Sequence, residues 1–450
     1  MGTHKAHAAP TKDFFVRMIT KDISIEDCIL DLIDNCLDGA RKAKHAANPN
    51  HTVASYDGFR ASVKFNGQGF TITDNCGGIS ISEAIDYAFH FGRRSNAPAE
   101  GDYSIGLYGI GMKRAMFKIG NSIEIYSSTD SEAFRTIIDV PEWLKREPIP
   151  VPGRAPYEDW DFDMADAAIA SEPGTRIDIN QLHLPIATQF SNPAFENTLR
   201  RIVARDYAQF LSKGFEITIN AERVLGFPFT VRQGTEFKPI RIKYMDETGV
   251  EVEIIAGMAG APPDDLQPTE RRPETDYFGW SVICNDRVVV ASNKGDQTVW
   301  GNGDFQSWHY QYNGFIGVVS FSAKDPNLLP WRTTKRDVDT SNTTYRRAVE
   351  KMKDATRSWI KYTNDRKVDM VAAKEREASA AGIPLFSVQP NPTLVVPRVV
   401  AAQIFFSSIQ YSKPTSEIAE VKRKLGNPSM PNSKVGEHTF DYYVKHESED

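Results

Sequence analysis

The stretch Asp31-Leu32-Ile33-Asp34-Asn35-Cys36-Leu37-Asp38-Gly39-Ala40 decides how this chain is read. Ser24 ahead of it is a good helix N-cap, and Asp27 three residues later makes a start like a capping box. From there Ile25, Cys28, Ile29, Leu32, Ile33, Cys36, Leu37 and Ala40 recur at helical spacing, which predicts a helix with one apolar side. At about 100° per residue, Asp27, Asp31, Asn35 and Asp38 gather on the opposite side, with Asp34 at its margin. Taken alone, the pattern is that of a surface helix with a solvated acidic face. An asparagine framed by acids also suits Mg²⁺, which takes hard oxygen ligands and keeps waters and phosphate oxygens.

Two glycine-rich stretches follow in order. Ala61–Asn66 and Gly69–Thr73 alternate like the arms of a hairpin, which leads into Asp74-Asn75-Cys76-Gly77-Gly78-Ile79. Asp74 at a strand end can accept an exocyclic amine, and the glycines let backbone pass close to a flat group. Read in isolation, an ordinary Asp-Asn-x-Gly turn would look the same. Gly106-Leu107-Tyr108-Gly109-Ile110-Gly111-Met112-Lys113 then opens a predicted helix through Lys118. Exposed N–H groups at a helix N-terminus cradle phosphate, and a lysine adds a point charge. The spacing is neither that of the P-loop nor that of the dinucleotide fold.

In order and content these stretches resemble the GHKL (Bergerat-fold) ATPases: gyrase, the ninety-kilodalton heat-shock chaperones, histidine kinases and the MutL proteins. The segment Phe89 to Gly120 is most similar to the MORC ATPases. The resemblance implies an α+β protein: an N-terminal Bergerat α/β sandwich, then an α+β transducer domain and a small C-terminal region. It implies ATP and Mg²⁺ as ligands, with Asn35 on the metal, Asp74 reading adenine and Gly78 admitting the base. Gly106, Leu107, Tyr108, Gly109, Ile110, Gly111, Met112 and Lys113 would hold the phosphates, with Asp38 and Ile79 beside the nucleotide. Gly174-Thr175 resembles the step whose hydroxyl joins the adenine network, and Phe89 to Ser95 the start of a lid over ATP. Leu329 to Asp337 resembles the loop that inserts a transducer lysine, here Lys335 with Arg336 as alternative, at the γ-phosphate. The family's general base is a glutamate four residues before the metal asparagine. Here that position is Asp31, one methylene shorter, and a misplacement of about 1 Å can cost around 100-fold in rate. ATP binding is therefore expected more firmly than fast turnover.

Composition bounds the rest. With 450 residues, 40% hydrophobic and 25% charged, the chain has room for two or three domains of ordinary globular character. It contains no long apolar run and no signal-peptide pattern, which predicts a cytoplasmic protein with no membrane partner. Cys28, Cys36, Cys76 and Cys284 lack paired metal spacing and read as reduced thiols. A net charge of −6 argues against a permanent nucleic-acid coat, although residues 332–376 carry 13 basic against 7 acidic residues.

Punctuation sets boundaries near residues 23, 185 and 342, and the resemblance implies a dimer-exchange segment over 1–23, the ATPase domain over 24–185 and the transducer over 186–342. One long polar helix over 343–382 is expected next, then a proline-rich linker over 383–397 and an interaction region over 398–450. The Pro- and acid-rich residues 141–173 read as a surface excursion. The expected protein is a homodimer formed on ATP, gating a clamp on nucleic acid as the MORC resemblance implies. A chaperone-like remodeller of protein clients, or a nucleotide-sensing switch with little turnover, stands as the alternative.

Overall fold

The first helices form where their caps and stripes dictate. In helix α1 (Lys12–Lys21) the Thr11 hydroxyl accepts the Phe14 N–H. In α2 (Ile25–Ala47) Ser24 Oγ accepts the Asp27 N–H at 3.1 Å. The computed structural model of the chain describes residues 10–47, 53–92, 103–106, 109–151, 156–264, 277–303, 305–332, 334–397 and 407–447. Leu107, Tyr108 and residues 93–95 of the expected lid, Ser95 among them, lie outside the described residues. Residues up to Val399 form one compact unit, and those from Val400 a second.

The N-terminal layer is built on a hairpin of β1 (Arg60–Phe65) and β2 (Gly69–Asp74), with Val63 opposite Ile72 and Phe65 opposite Phe70. There follow α3 (Ile81–Glu83), which runs into a π-helical turn over Ala84–Ala88, and α4 (Gly111–Ile119). Then come β3 (Gly120–Ser128), β4 (Ala133–Asp139), α5 (Val140–Leu144), β5 (Met164–Asp166) and β6 (Gly174–Leu182). After three helices, α6 (Leu184–Phe190), α7 (Pro193–Asp206) and α8 (Ala208–Ser212), the strands β7 (Glu216–Ile219) and β8 (Glu222–Arg223) return to the same sheet. Its order is β5-β4-β3-β6-β2-β1-β7-β8. The apolar stripes of α2 and α4 bury Cys28, Ile29, Ile33, Leu37, Ala115 and Met116 against it.

The first domain therefore does not end near residue 185. β7 pairs in parallel with β1, Ala61 opposite Ile217, and the sheet runs on to Arg223. Leu184-Pro185 looks like a stop in the sequence, but a proline in the first turn of a helix starts α6.

The second sheet contains β10 (Ile240–Met245), β11 (Glu251–Met258), β12 (Gly279–Cys284), β13 (Arg287–Asn293) and β14 (Phe315–Ser322), in the order β10-β11-β14-β12-β13. β12 and β13 join through Asn285-Asp286, both at positive φ (46° and 67°), the backbone of a two-residue hairpin turn. On one face lies α9 (Thr343–Asp365), which buries Tyr345, Met352, Trp359 and Tyr362. A small ribbon of β9 (Thr230–Gln233) with β15 (Ala381–Pro384) adds Val231 and Leu385 to a separate apolar cluster with Ile255 and Val318.

Two more expectations are corrected here. The helix expected over 343–382 breaks at a 3₁₀ turn over Arg366–Val368, and α10 (Met370–Ser379) starts afresh with Asp369 capping the Ala372 N–H. The break brings Glu377 back onto Arg366 in a fork of 2.7 and 2.9 Å, with the Tyr362 hydroxyl donating to the same carboxylate. Residues 383–397 are not a free linker: Leu385, Val388 and Leu394 are buried, and Val395 and Asn391 bridge to Lys238 and Arg241. The second unit carries α11 (Thr415–Lys424) and α12 (Asn432–Glu447), the latter not foreseen. Among the described residues no helix is long and apolar enough to cross a membrane.

Replacing Glu377 by alanine strands the buried Arg366 guanidinium and should destabilise the protein by about 3 kcal/mol. Urea unfolding checks this; a loss under about 1 kcal/mol would show that α10 is held by other contacts.

Candidate functional site

Helix α2 carries its acids into four different environments. Asp27 meets Arg336 at 2.5 Å. Asp31 Oδ2 accepts Arg114 Nη2 at 2.5 Å, and Lys335 Nζ stands 3.7 Å from its other oxygen. Asp34, 1% exposed, accepts Lys335 Nζ at 3.0 Å, Arg287 Nε at 3.2 Å and the Tyr207 hydroxyl at 2.8 Å. Burial works against that charge, yet Lys335 and Arg287 hold the Asp34 carboxyl below the usual carboxylate range. Asp38 accepts the N–H groups of Ile105 and Gly106 at 2.7 and 2.6 Å. Its carboxyl is pushed up to about 6, chiefly by burial, against the pull of Arg41 and those two N–H groups. Between these engaged acids Asn35 stays exposed. The face expected to be solvated is therefore mostly covered, and Asp34, expected at its margin, is its most enclosed carboxylate.

The glycine-rich loop arrives over this row. A Cβ on Gly106 would stand 3.0 Å from Asp38 Oδ2 and 4.0 Å from Asn35 Oδ1, and one on Gly111 3.1 Å from Asp31 Cγ. Gly109 has a φ of +62°, and α4 begins after Ile110 with no side chain capping its first N–H groups. Those donors are free for an anion at the end of the row. Met112 is buried. Lys113 departs from the expected outward-facing ammonium: it is 2% exposed, donates to the Ala88 carbonyl at 2.7 Å, and burial lowers its pKa to about 7. The first turn of α4 turns it inward, so that turn meets the row with its N–H groups and with Arg114.

The Asp74 end forms a second pocket wall. Asp74 Oδ1 accepts the Cys76 N–H at 2.8 Å and the Thr175 N–H at 3.3 Å, while burial raises its carboxyl above the ordinary value against those bonds. Ser127 Oγ accepts the Ile79 N–H at 2.8 Å and lies 2.8 Å from Thr175 Oγ1. Gly78, at φ +69°, runs so close to β3 that a Cβ would come 2.0 Å from the Ser128 carbonyl oxygen. Asp74, Ile79, Gly78 and Thr175 are thus brought together, with Ser127 as the shared hydroxyl.

The second domain supplies the cations. Trp331 and Val338 bridge the base of the loop, Trp331 Nε1 donates to the Pro326 carbonyl, and the Lys335 N–H donates to the Arg332 carbonyl. Lys335 sits at φ +54°, a backbone region costly for a residue with a side chain, which this loop imposes where the ammonium enters the row. Arg287, at the start of β13, is 1% exposed, bonds Asp34 and Asp206, and lies 4.4 Å from the Tyr207 ring centroid.

Sequence reading missed Ser127, Arg114, Arg287 and Tyr207. Ser127 is the fourth residue of the alternating stretch Glu124–Ser127, and nothing in that pattern marks it. Arg114, directly after Lys113, stands in the predicted helix, and nothing in the local pattern separates it from the other cations there. Among the described residues no three His, Cys, Asp or Glu side chains gather to hold a metal. A divalent ion here would rely on the Asn35 amide oxygen, phosphate oxygens and water, which Mg²⁺ accepts. The exposed Asn35, whose Oδ1 lies 4.0 Å from where a Cβ on Gly106 would stand, fits that role.

Gly78→Ala should cost about 2–4 kcal/mol, adding left-handed backbone strain to the overlap with β3. Thermal unfolding of the nucleotide-free protein checks it; an unchanged midpoint would show that the turn can move away from Ser128.

Residues 23–160 match the family model described as histidine kinase-, DNA gyrase B- and HSP90-like ATPase. The matched span holds α2, Asp74 to Ile79 and the glycine-rich loop, and ends before Thr175 and Lys335. No curated protein matches the chain. The match supports placing the N-terminal part of this chain in the GHKL superfamily, whose domains bind ATP.

Proposed function

We propose that this protein is an ATP-dependent switch in which the second domain is a transducer that senses the γ-phosphate through Lys335. The observation that carries the reading is the Lys335 ammonium, 3.0 Å from Asp34 and 3.7 Å from Asp31, delivered from a loop 301 positions away in sequence. A cation so placed distinguishes ATP from ADP, because only ATP brings a further anionic group to it.

In this reading the α4 N–H groups and Gly106 to Gly111 bind the phosphates, while Asp74 and Thr175 hold the adenine edge. Asn35 holds Mg²⁺, which would neutralise phosphate charge when bound. Asp31 orients the attacking water and takes its proton. Lys335 leaves Asp34 for the developing phosphoryl charge, and Asp34 keeps Arg287 and Tyr207 as partners. That exchange is what the second domain feels.

The reading includes ATP-driven dimerisation and a nucleic-acid client, the latter on the MORC resemblance. α1 rests on its own chain: Lys12 Nζ donates to the Trp143 and Asp159 carbonyls, and Phe15 packs on Phe91 and Trp160. Phe14 and Met18 stay exposed, and they are the surface we assign to a second copy. Of the basic residues of α9, Lys353, Arg357 and Lys361 each pair with an acid on the same helix, which offsets their charge toward a nucleic acid.

Asn35→Ala removes an oxygen ligand from an exposed position, so it should abolish Mg-ATP binding in calorimetry without moving the melting midpoint. Tight binding by the folded variant would refute the metal assignment.

Lys335→Ala should leave ADP affinity unchanged and slow hydrolysis by about 100-fold or more, the scale for losing one positioned charge donor. It should also weaken dimerisation with a nonhydrolysable ATP analogue, read by light scattering. Equal loss of ADP and ATP binding would instead indicate misfolding. DNA binding that strengthens with the analogue and weakens steeply with salt supports the nucleic-acid client; no analogue-dependent binding excludes it.

A further inference from the structure

We infer that Arg114 is the positioning residue for Asp31, and that it offsets the short reach of an aspartate at the catalytic position. The inference rests on the reading of Asp31 as the base. Arg114 lies one residue after Lys113 in the first turn of α4, yet the two side chains part company. Lys113 turns into the interior toward Ala88, while Arg114 Nη2 donates to Asp31 Oδ2 at 2.5 Å. Both groups of the pair are largely enclosed, 17% and 9% exposed.

Two further observations fit this role. Arg114 Nε, on the same edge of the guanidinium as Nη2, is buried and has no hydrogen-bond partner among the described residues. Half of the planar fork is in use and half is open toward the carboxylate side, the geometry from which a two-bond clamp is completed. Gly111, at the start of the same turn, is the second observation: a Cβ there would lie 3.1–3.3 Å from the Asp31 Cγ, Oδ2 and Cβ atoms. The turn therefore lies directly on the carboxylate.

A physical consequence follows. The turn of α4 that offers its N–H groups to phosphate also grips the carboxylate that must face the attacking water. The spacing between the two is then set within α4 and does not depend on the length of the side chain rising from α2. A carboxylate shorter by one methylene, left alone on α2, would sit about a bond length away from where a glutamate would reach. Held from the α4 side, it moves with the phosphates. Lys335, on the other oxygen at 3.7 Å, is the group that departs on nucleotide binding; Arg114 is the one that stays.

The test compares Arg114→Met, Arg114→Lys, Asp31→Asn and Asp31→Glu in the full chain. Arg114→Met should lower kcat by about 10- to 100-fold, the scale of a 1 Å misplacement, with the KM for ATP and the Kd for ADP within about twofold of the parent. Arg114→Lys should recover part of the loss. Asp31→Glu introduced into Arg114→Met should also recover turnover, because the longer side chain no longer needs the clamp. In the nucleotide-free protein, the double variant Arg114→Met with Asp31→Asn should melt no lower than the worse single variant, the signature of a coupled pair. Arg114→Met with parental kcat, while Asp31→Asn is inactive, overturns the inference alone. A raised KM with unchanged kcat assigns Arg114 to the phosphates and overturns it too. Parental turnover by Asp31→Asn overturns the base assignment itself, and the inference with it.

Discussion

The architecture hangs on one buried charge. Asp34 is almost fully enclosed, and a carboxylate there is tolerable only because Lys335, Arg287 and Tyr207 converge on it. Leaving such a buried charge with no cation costs on the order of 3–5 kcal/mol. Both cations come from the second domain, Arg287 from β13 and Lys335 from the loop before α9, whereas Asp34 belongs to the helix that opens the first. The two domains therefore cannot part without exposing or orphaning these charges. Any ligand that offers Lys335 a better anion loosens one bond of this set while leaving Arg287 in place.

The same helix explains why Asn35 alone of this row is left exposed. Its acids are all engaged: Asp27 by Arg336, Asp31 by Arg114, Asp38 by the backbone of Ile105 and Gly106. Asn35 is neutral and forms no ion pair, so it remains exposed among them. Glycines keep the approach clear, with Gly106 above Asp38, Gly111 above Asp31 and Gly78 against β3, each where a side chain would collide. The N–H groups at the start of α4 have no cap. α2 and α4 pack on the sheet whose strand β2 ends at Asp74, so one scaffold positions Asn35, the first turn of α4 and the Asp74 turn.

Sequence reasoning reached the helix, the glycine turns and the β1–β2 hairpin because each is written locally in periodicity, caps or turn residues, and it reached the loop bearing Lys335 through the family resemblance. It failed where partners are distant. The end of the first domain was placed at a helix-starting proline, since the parallel pairing of β7 with β1 leaves no mark between residues 185 and 216. The break after Asp365 escaped notice because Arg366 and Glu377, eleven residues apart, look like two more charges on a polar helix until the chain folds back. Residues 383–397 looked like a linker by their prolines, yet Leu385 and Val388 fill an apolar cluster.

What the sequence by itself determined is the inventory: a capped helix with an amide among acids, two glycine turns and a basic loop, in an order that makes one kind of site. Local rules suffice for that, since caps, stripes and left-handed glycines depend on near neighbours. Only the tertiary structure decided which acid meets which cation. It separated Lys113 from Arg114, adjacent residues that a helical turn sends in different directions, and it made Asp34 the enclosed carboxylate rather than a marginal one. Those outcomes depend on elements as much as 301 positions apart in sequence coming into contact. Burial, which sets the cost of each charge, exists only once they have done so.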